Sequence, residues 1–300
     1  MAAWLGSHPH IFLPKVKEPH FFNTDDKQAV TTWEAYESLF AAASEHHQAI
    51  GEASVWYLSS AVAVTNILKY QPQSRFIVML RNPVEMAPAL HAEMLLSGHE
   101  NVDDFHTAWD LQEDRRQGRH LPPLTWARRR LLYGEVCSLG AQLQRLHASV
   151  PADRILTILL DDMAADPRRE YLRTLRFLGV EDDGRASFRV HNRARTLRWP
   201  TLTKTLFVIS QIKSRLGINL HLGVWDRVSS VNIVESPRQP LSSDTTDMLR
   251  QYFAPDVALL STLLGRDLQH WMMPEPSPSV PAPSARRATS AQRTAHLVPY

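Results

Sequence analysis

Lys17, Glu18 and His20 lie close together in the chain, directly ahead of two phenylalanines. They belong to the run Lys15-Val16-Lys17-Glu18-Pro19-His20-Phe21-Phe22. Carboxylate and imidazole groups can move protons, and ammonium groups can stabilise negative charge. The two aromatic rings favour burial, so they would fasten these reactive groups to a rigid base. Taken alone, the run also fits an ordinary charged turn that leads into a buried aromatic pair.

A second stretch of small and polar residues runs from Gly51 to Leu58 with the sequence GEASVWYL. An amphipathic segment at about residues 33–43 precedes it. Ser54 is its candidate functional residue, and an ordinary turn with a helix cap is the alternative interpretation. A serine hydrolase is a poor fit, because no Gly-x-Ser-x-Gly elbow surrounds Ser54.

The third stretch joins an apolar run to a helix start. Arg81 follows the apolar residues, Asn82 can cap a helix, and Pro83 suits a first helical turn. At the end of a strand in an open α/β sheet, a helix N-terminus favours negative charge, and a guanidinium can bind phosphate oxygens. Arg81 is therefore the residue of this sequence best suited to bind an anion.

Two continuous apolar runs, Phe76–Leu80 and Ile155–Leu160, predict parallel strands that are covered on both faces. Between them, apolar residues recur at helical spacing, which predicts one long helix from Trp126 to about His147. The order strand, helix, strand predicts a right-handed crossover unit. The sequence thus predicts an α/β fold with a parallel sheet flanked by helices.

Helix signals continue after the second apolar run. Asp166-Pro167 fits an N-cap followed by proline at the first helical position, and Gly179 is placed to end that helix. A last helix is predicted from about Asp244 to Leu264.

Two regions lack a clear hydrophobic period. From Arg185 to about Pro237 we expect loops, with a helix at residues 202–216. The Pro/Ser/Ala-rich residues 274–300 predict a disordered tail, because they offer little apolar surface to bury. The folded domain is accordingly assigned to residues 1–273.

The overall composition is that of a globular protein. The chain has 300 residues, 44% of them hydrophobic, and a formal net charge of +2, so wholesale binding to nucleic acid or to an anionic membrane is not expected. Cys137 is the only cysteine, which excludes an internal disulfide or a thiolate metal cluster. We see neither a signal peptide nor an apolar run long enough to span a membrane, and we expect a cytoplasmic location.

The order and spacing of these stretches resemble the PAPS-dependent sulfotransferases, particularly the bacterial branch related to heparan-sulfate sulfotransferases. The resemblance covers about residues 4–272. It rests on AAWLGSHPHIF, KEPHFF, GEASVWYL, LRNPVEMA, DDMAADP with FLGV, and LLGRDLQHW. It implies a P-loop-like parallel sheet with the donor PAPS (3′-phosphoadenosine 5′-phosphosulfate) lying across its strand ends. The implied reaction transfers a sulfuryl group to a hydroxyl or amine of a carbohydrate, lipid or other small acceptor.

The resemblance also implies roles for the first stretch. Glu18 falls on the family's catalytic base, which takes the acceptor proton. Lys17 would stabilise charge, and His20 would orient groups or form hydrogen bonds. Catalysis by positioning and electrostatics needs no metal, so none is expected.

Arg81 matches the arginine that binds the 3′-phosphate of the donor in this family. The family usually has a serine eight positions later, where this chain has Ala89. The absent hydrogen bond to a charged oxygen is worth about 1.5–3 kcal/mol. We also assign Ser54 and Arg195 to donor binding.

A larger departure concerns the family's first strand and its Lys-x-Gly-Thr-Thr loop, which holds the 5′-phosphosulfate. The sequence contains no such run, and residues 1–6 match the helix that follows it. The resemblance therefore implies a sheet whose first strand and P-loop are missing from these residues. Either the start of the chain is assigned too late or the truncation is real, and a real truncation would weaken donor binding.

Two other functions remain open from the sequence. One is a non-catalytic relative that binds a phosphorylated nucleotide or a partner protein, which Ala89 favours. The other is a polyanion binder that uses the arginine clusters at 115–119, 128–130 and 193–198. The near-neutral charge opposes the polyanion binder. The arginines at 115–119 could touch an anionic acceptor, and those at 128–130 are expected to pair with acids or water.

Overall fold

The computed structural model describes residues 1–189 and 240–273, together with the backbone of two short strands at residues 195–197 and 233–235. The strands are β1 (Ile11–Phe12), β2 (Ala49–Ile50), β3 (Phe76–Leu80), β4 (Ile155–Leu159), β5 (Arg195–Leu197) and β6 (Ile233–Glu235). The predicted helix at residues 202–216 and the predicted tail at 274–300 lie outside the described residues.

The strands associate in three pairs. β1 pairs with β2 and β3 pairs with β4, both in parallel, whereas β5 and β6 are antiparallel. In the longest pair, Phe76 lies beside Ile155 and the register continues to Leu80 beside Leu159. Both predicted parallel strands and the mixed α/β class are confirmed, but the expected coverage on both faces is wrong for β3, where Met79 is 40% exposed.

Helices surround these strands. They are α1 (Ala2–Leu5), α2 (Trp33–Ser38), α3 (Ala63–Tyr70), α4 (Pro83–Leu96), α5 (Phe105–Asp110), α6 (Gln112–Arg116), α7 (Tyr133–Cys137), α8 (Leu139–Ser149), α9 (Leu160–Ala165), α10 (Pro167–Leu178) and α11 (Ser243–Leu264). Short 3₁₀ turns occur at Arg128–Leu131, Ala152–Arg154 and Gln269–Met272. In the described part of the chain, no helix combines the length and apolar character that crossing a membrane requires.

Local sequence signals fix the helix ends as predicted. Asn82 Oδ1 accepts a hydrogen bond from the N–H of Val84 (2.9 Å) at the start of α4. Asp166 caps α10 through the N–H of Arg169 (2.9 Å), and α10 ends at Gly179, whose φ of 75° suits glycine. The predicted last helix is α11.

The single long helix expected between the two strands is wrong. The segment is divided into a 3₁₀ turn, α7 and α8, with non-helical backbone at Leu132 and Ser138. At the second break, the carboxylate of Asp256 in α11 accepts hydrogen bonds from the N–H groups of Gly140 (2.8 Å) and Ala141 (2.9 Å). A side chain from a distant helix thus satisfies the first amides of α8, so continuation of the helix is not required.

The main core lies between the β3–β4 pair and helices α4, α8 and α11. Leu80, Leu143 and Phe253 are among its fully buried side chains. A smaller cluster, which includes Trp4, packs α1 and β1 against α10. A third cluster forms around Phe22, and it supports the candidate site.

A buried ion pair crosses the main core region. Arg115 and Glu100 are both 0% exposed, and their side chains approach to 2.7 Å. Glu100 also accepts hydrogen bonds from the Tyr133 hydroxyl (2.6 Å) and the N–H of Val102 (2.9 Å). Arg115 is therefore a structural group, and the idea that it could touch an anionic acceptor is wrong. Arg116 and Arg119 pair with nearby acids.

Replacing Arg115 alone is expected to leave Glu100 charged and unpaired inside the protein. We predict that Arg115→Met lowers the free energy of unfolding by about 3–5 kcal/mol. The double variant Arg115→Met with Glu100→Gln should lose less, because no isolated charge remains. Urea unfolding of the three proteins measures this difference, and equal losses in the single and double variants would contradict the prediction.

Candidate active site

The loop that carries Glu18 and His20 has an unusual backbone conformation. Glu18 has a φ of 53° and His20 a φ of 50°. Non-glycine residues adopt this left-handed region at a cost of about 1–3 kcal/mol each. The carbonyl of Pro19, between them, accepts hydrogen bonds from the N–H groups of Ala29 (3.1 Å) and Val30 (3.0 Å). Tertiary contacts, rather than local preference, therefore hold this loop.

The loop brings the predicted catalytic side chains together. His20 Nε2 lies 3.1 Å from Glu18 Oε2. His20 is only 7% exposed, Glu18 is partly exposed, and the neighbouring Lys17 is exposed. The arrangement offers a carboxylate that a substrate can reach, next to an imidazole enclosed by protein.

The two phenylalanines anchor the loop as the sequence predicts. The ring of Phe21 stacks on Tyr36 with centroids 4.4 Å apart, and Phe22 meets the same tyrosine edge-on at 5.1 Å. The carbonyl of Phe22 also accepts a hydrogen bond from Asn66 in α3 (2.9 Å).

The second stretch holds the loop from the other side. Ser54 Oγ accepts a hydrogen bond from the N–H of His20 (3.1 Å) and donates one to Glu52 (2.8 Å). The hydroxyl of Tyr57 accepts from the N–H of Phe22 (3.4 Å) and donates to the same carboxylate (2.5 Å). Sequence reasoning singled out only Ser54 here, although Glu52 and Tyr57 stand in the same eight-residue stretch.

The electrostatics of this network centre on Glu52. Burial raises the pKa of Glu52, while the hydrogen bonds from Tyr57 and Ser54 oppose that rise. The charge of His20 also lowers the pKa of Glu52, and that of Glu18 raises it. Burial and the nearby Glu52 carboxylate raise the pKa of Tyr57, so its hydroxyl stays a donor. Two carboxylates and one imidazole are thus electrostatically coupled in the site.

A stacked arginine borders the loop. The guanidinium of Arg130 lies between the indole rings of Trp56 (4.3 Å to the centroid) and Trp126 (4.6 Å), and Arg130 is 7% exposed. Its Nε donates to Asp26 (2.9 Å), and its charge interacts with that of Glu18. The cation–π contacts fix the guanidinium plane.

The other arginines of the 128–130 cluster are also engaged within the protein. Arg129 pairs with Asp25, and Arg128 donates to the backbone carbonyl of Arg115 (3.1 Å). The expectation that the cluster pairs with acids is confirmed for Arg129 and Arg130. These engaged side chains do not favour a polyanion-binding surface here.

Arg81 lies at the carboxyl end of β3, directly before α4. Its Nη2 donates to Glu85 (3.1 Å), and its Nε is buried and has no hydrogen-bond partner among the described residues. The first amides of α4 are already used, because Asn82 accepts from the N–H groups of Val84 and Met86. The anion-binding capacity of this junction therefore rests on the guanidinium and the helix dipole, not on free amides as the sequence suggested.

The remaining predicted site residues are placed as follows. Ala89 lies within α4, the helix that begins two residues after Arg81. Arg195 begins β5, and its side chain lies outside the described residues. Among the residues described, no hydrogen bond links Arg81 to the Glu18 loop, and no three His, Cys, Asp or Glu side chains group as a metal site.

Comparison with solved structures identifies the fold as that of a sulfotransferase. A crystal structure of a sulfotransferase from Alicyclobacillus acidocaldarius matches with a TM-score of 0.63 and 24% sequence identity, covering 90% of this chain and 92% of that chain. No protein-family model and no curated protein matches the sequence. The mixed α/β fold expected from the sequence resemblance is thereby confirmed, whereas the missing first strand and P-loop and the relation to the heparan-sulfate branch stay predictions.

His99, which packs edge-on against Trp126 at 4.3 Å, provides a pH test of this region. Burial, together with the charges of Arg130 and Lys27, lowers the pKa of His99 from 6.5 to about 4. As the pH falls, His99 is protonated in the unfolded chain at a higher pH than in the folded protein. The contribution of neutral His99 to the free energy of unfolding is therefore full above pH 6.5 and falls as the pH drops towards 4.

We predict that wild type loses about 3 kcal/mol more than His99→Gln between pH 7 and 4. Unfolding titrations at several pH values measure this loss. An NMR titration midpoint of His99 near 6.5 would contradict it.

Proposed function

We propose that this protein is a sulfotransferase that moves a sulfuryl group from PAPS to a hydroxyl or amine of an acceptor. The observation that carries the proposal is the Glu18–His20 pair, 3.1 Å apart on a backbone held in an unfavourable conformation. Strained backbone that the surrounding structure enforces is typical of functional sites. The shared sulfotransferase fold supports the same assignment.

In the proposed reaction, Glu18 takes the proton of the acceptor hydroxyl or amine while the acceptor atom attacks sulfur. The bond between sulfur and the phosphate oxygen breaks, and PAP (3′-phosphoadenosine 5′-phosphate) leaves with that oxygen. Lys17 would stabilise negative charge on the transferred group, and His20 would orient the Glu18 carboxylate. The half-buried position of Glu18 lets an acceptor reach it.

Arg81 is proposed to bind the 3′-phosphate of the donor. Its contact with Glu85 is an i,i+4 surface pair worth only about 0.3–0.5 kcal/mol. A phosphate dianion can therefore replace Glu85 at little cost. Ala89 contributes no hydrogen bond, whereas Ser54 and Arg195 remain predicted donor contacts.

The sequence offers no Lys-x-Gly-Thr-Thr run for the 5′-phosphosulfate. We therefore propose that recognition by these 300 residues depends mainly on the 3′-phosphate. PAP and AMP differ in that phosphate, so their comparison isolates the contribution of Arg81.

Calorimetric titration with PAP tests the donor site. We predict micromolar binding of PAP, no binding of AMP, and affinity for PAP weakened about 10- to 150-fold by Arg81→Ala, because a charge-assisted hydrogen bond is lost. Arg75→Ala is the matched control, since Arg75 precedes β3 at its opposite end and donates to the carbonyl of Phe177 (2.8 Å). Equal affinities for PAP and AMP would contradict the assignment.

Transfer of labelled sulfate from PAPS to phenols, amino sugars and long-chain alcohols tests the chemistry. We predict that Glu18→Gln lowers kcat about 10²- to 10⁴-fold, as loss of a general base does. PAP affinity should stay the same, because Arg81 carries it. Binding of PAP by folded wild-type protein without transfer to any of these acceptors would instead support the non-catalytic alternative.

A further inference from the structure

Glu52 connects the two stretches that build the candidate site. Its two carboxylate oxygens each accept one hydrogen bond, from Ser54 Oγ (2.8 Å) and from the Tyr57 hydroxyl (2.5 Å). Those two hydroxyls in turn accept the backbone N–H groups of His20 (3.1 Å) and Phe22 (3.4 Å). One carboxylate is therefore linked to the backbone of His20 and of Phe22 by two relays, each a hydroxyl group that joins the carboxylate to a backbone N–H group.

The direction of both relays depends on the charge of Glu52. An ionised carboxylate only accepts hydrogen bonds, so both hydroxyls must point their protons at it. Their oxygen lone pairs then face the loop, where they accept the backbone N–H groups of His20 and Phe22. A neutral amide at the same position carries one oxygen and one NH₂ group, so it can accept from only one of the two hydroxyls.

The loop held by these relays is the strained one. Glu18 and His20 both have left-handed backbone conformations, and His20 contacts the Glu18 carboxylate. The ring of His20 also meets the ring of Tyr57 edge-on, with centroids 6.4 Å apart. The backbone donor of His20 and its ring thus both contact the Glu52 relays.

We propose that Glu52 is a positioning residue for the Glu18–His20 pair, acting through Ser54 on one side and Tyr57 on the other. Its carboxylate sets the orientation of both hydroxyls, and they hold the backbone of His20 and Phe22 in the conformation that points His20 at Glu18. Glu52 itself touches neither donor nor acceptor in this role. The inference rests on the proposed function only for its effect on turnover.

The electrostatic data agree with this geometry. Burial raises the pKa of Glu52, and the two hydroxyl hydrogen bonds are the main opposing influences. Ionisation of Glu52 and closure of the relays therefore support each other.

Hydrogen exchange of single backbone amides, measured by NMR, tests the proposal without any activity assay. In Glu52→Gln the amides of His20 or Phe22 should exchange about 10-fold faster, because at least one relay opens. Ser54→Ala should accelerate His20 and leave Phe22 unchanged, and Tyr57→Phe should do the reverse. Glu37→Gln, a matched change at an exposed glutamate of α2, should alter neither amide.

Turnover provides the second readout. Glu52→Gln should lower kcat about 10-fold or more while the Kd for PAP stays the same, because the Arg81 junction is untouched. A loss of structure alone would lower PAP affinity together with kcat.

The two readouts separate the two proposals. Site-specific acceleration of His20 and Phe22 in a protein without sulfotransferase activity would support the role of Glu52 in loop positioning and reject the proposed function. Unchanged exchange of both amides in Glu52→Gln, Ser54→Ala and Tyr57→Phe would overturn the role of Glu52, whatever the activity.

Discussion

The parallel pairing of β3 with β4 positions the described parts of the candidate donor site. Each strand supplies five residues, almost all apolar, of which Val78, Leu80 and Leu159 pack in the main core with residues of α4, α8 and α11. Burial of this pair removes the strand backbone from water, so its N–H and C=O groups must bond to one another. Arg81 follows the last residue of β3 directly and is therefore placed at the sheet end with little freedom.

The arginines of this protein differ in burial and in the carboxylates with which they pair. Arg115 and Arg130 are buried, and each is matched by a carboxylate, Glu100 and Asp26. A buried charge that lacks a partner is costly, so these pairs belong to the fold. Among the described residues, Arg81 by contrast pairs with an exposed carboxylate, that of Glu85. The low net charge of +2 conceals this difference.

The Glu18 loop shows how a site is held against local preference. Neither Glu18 nor His20 favours a positive φ, and both adopt it. The aromatic cluster around Phe22 and the hydroxyl relays to Glu52 provide the compensating contacts.

The sequence by itself determined the elements whose signals are local. Apolar runs predicted β3 and β4, and the caps at Asn82 and Asp166 gave the helix starts, because these preferences act between near neighbours. Only the tertiary structure decided the breaks around α7, where Asp256 of a distant helix satisfies the first amides of α8. The tertiary structure alone also decided the hydroxyl relays to Glu52, since the contacts of Glu52 depend on which donors the folded chain brings within hydrogen-bonding distance.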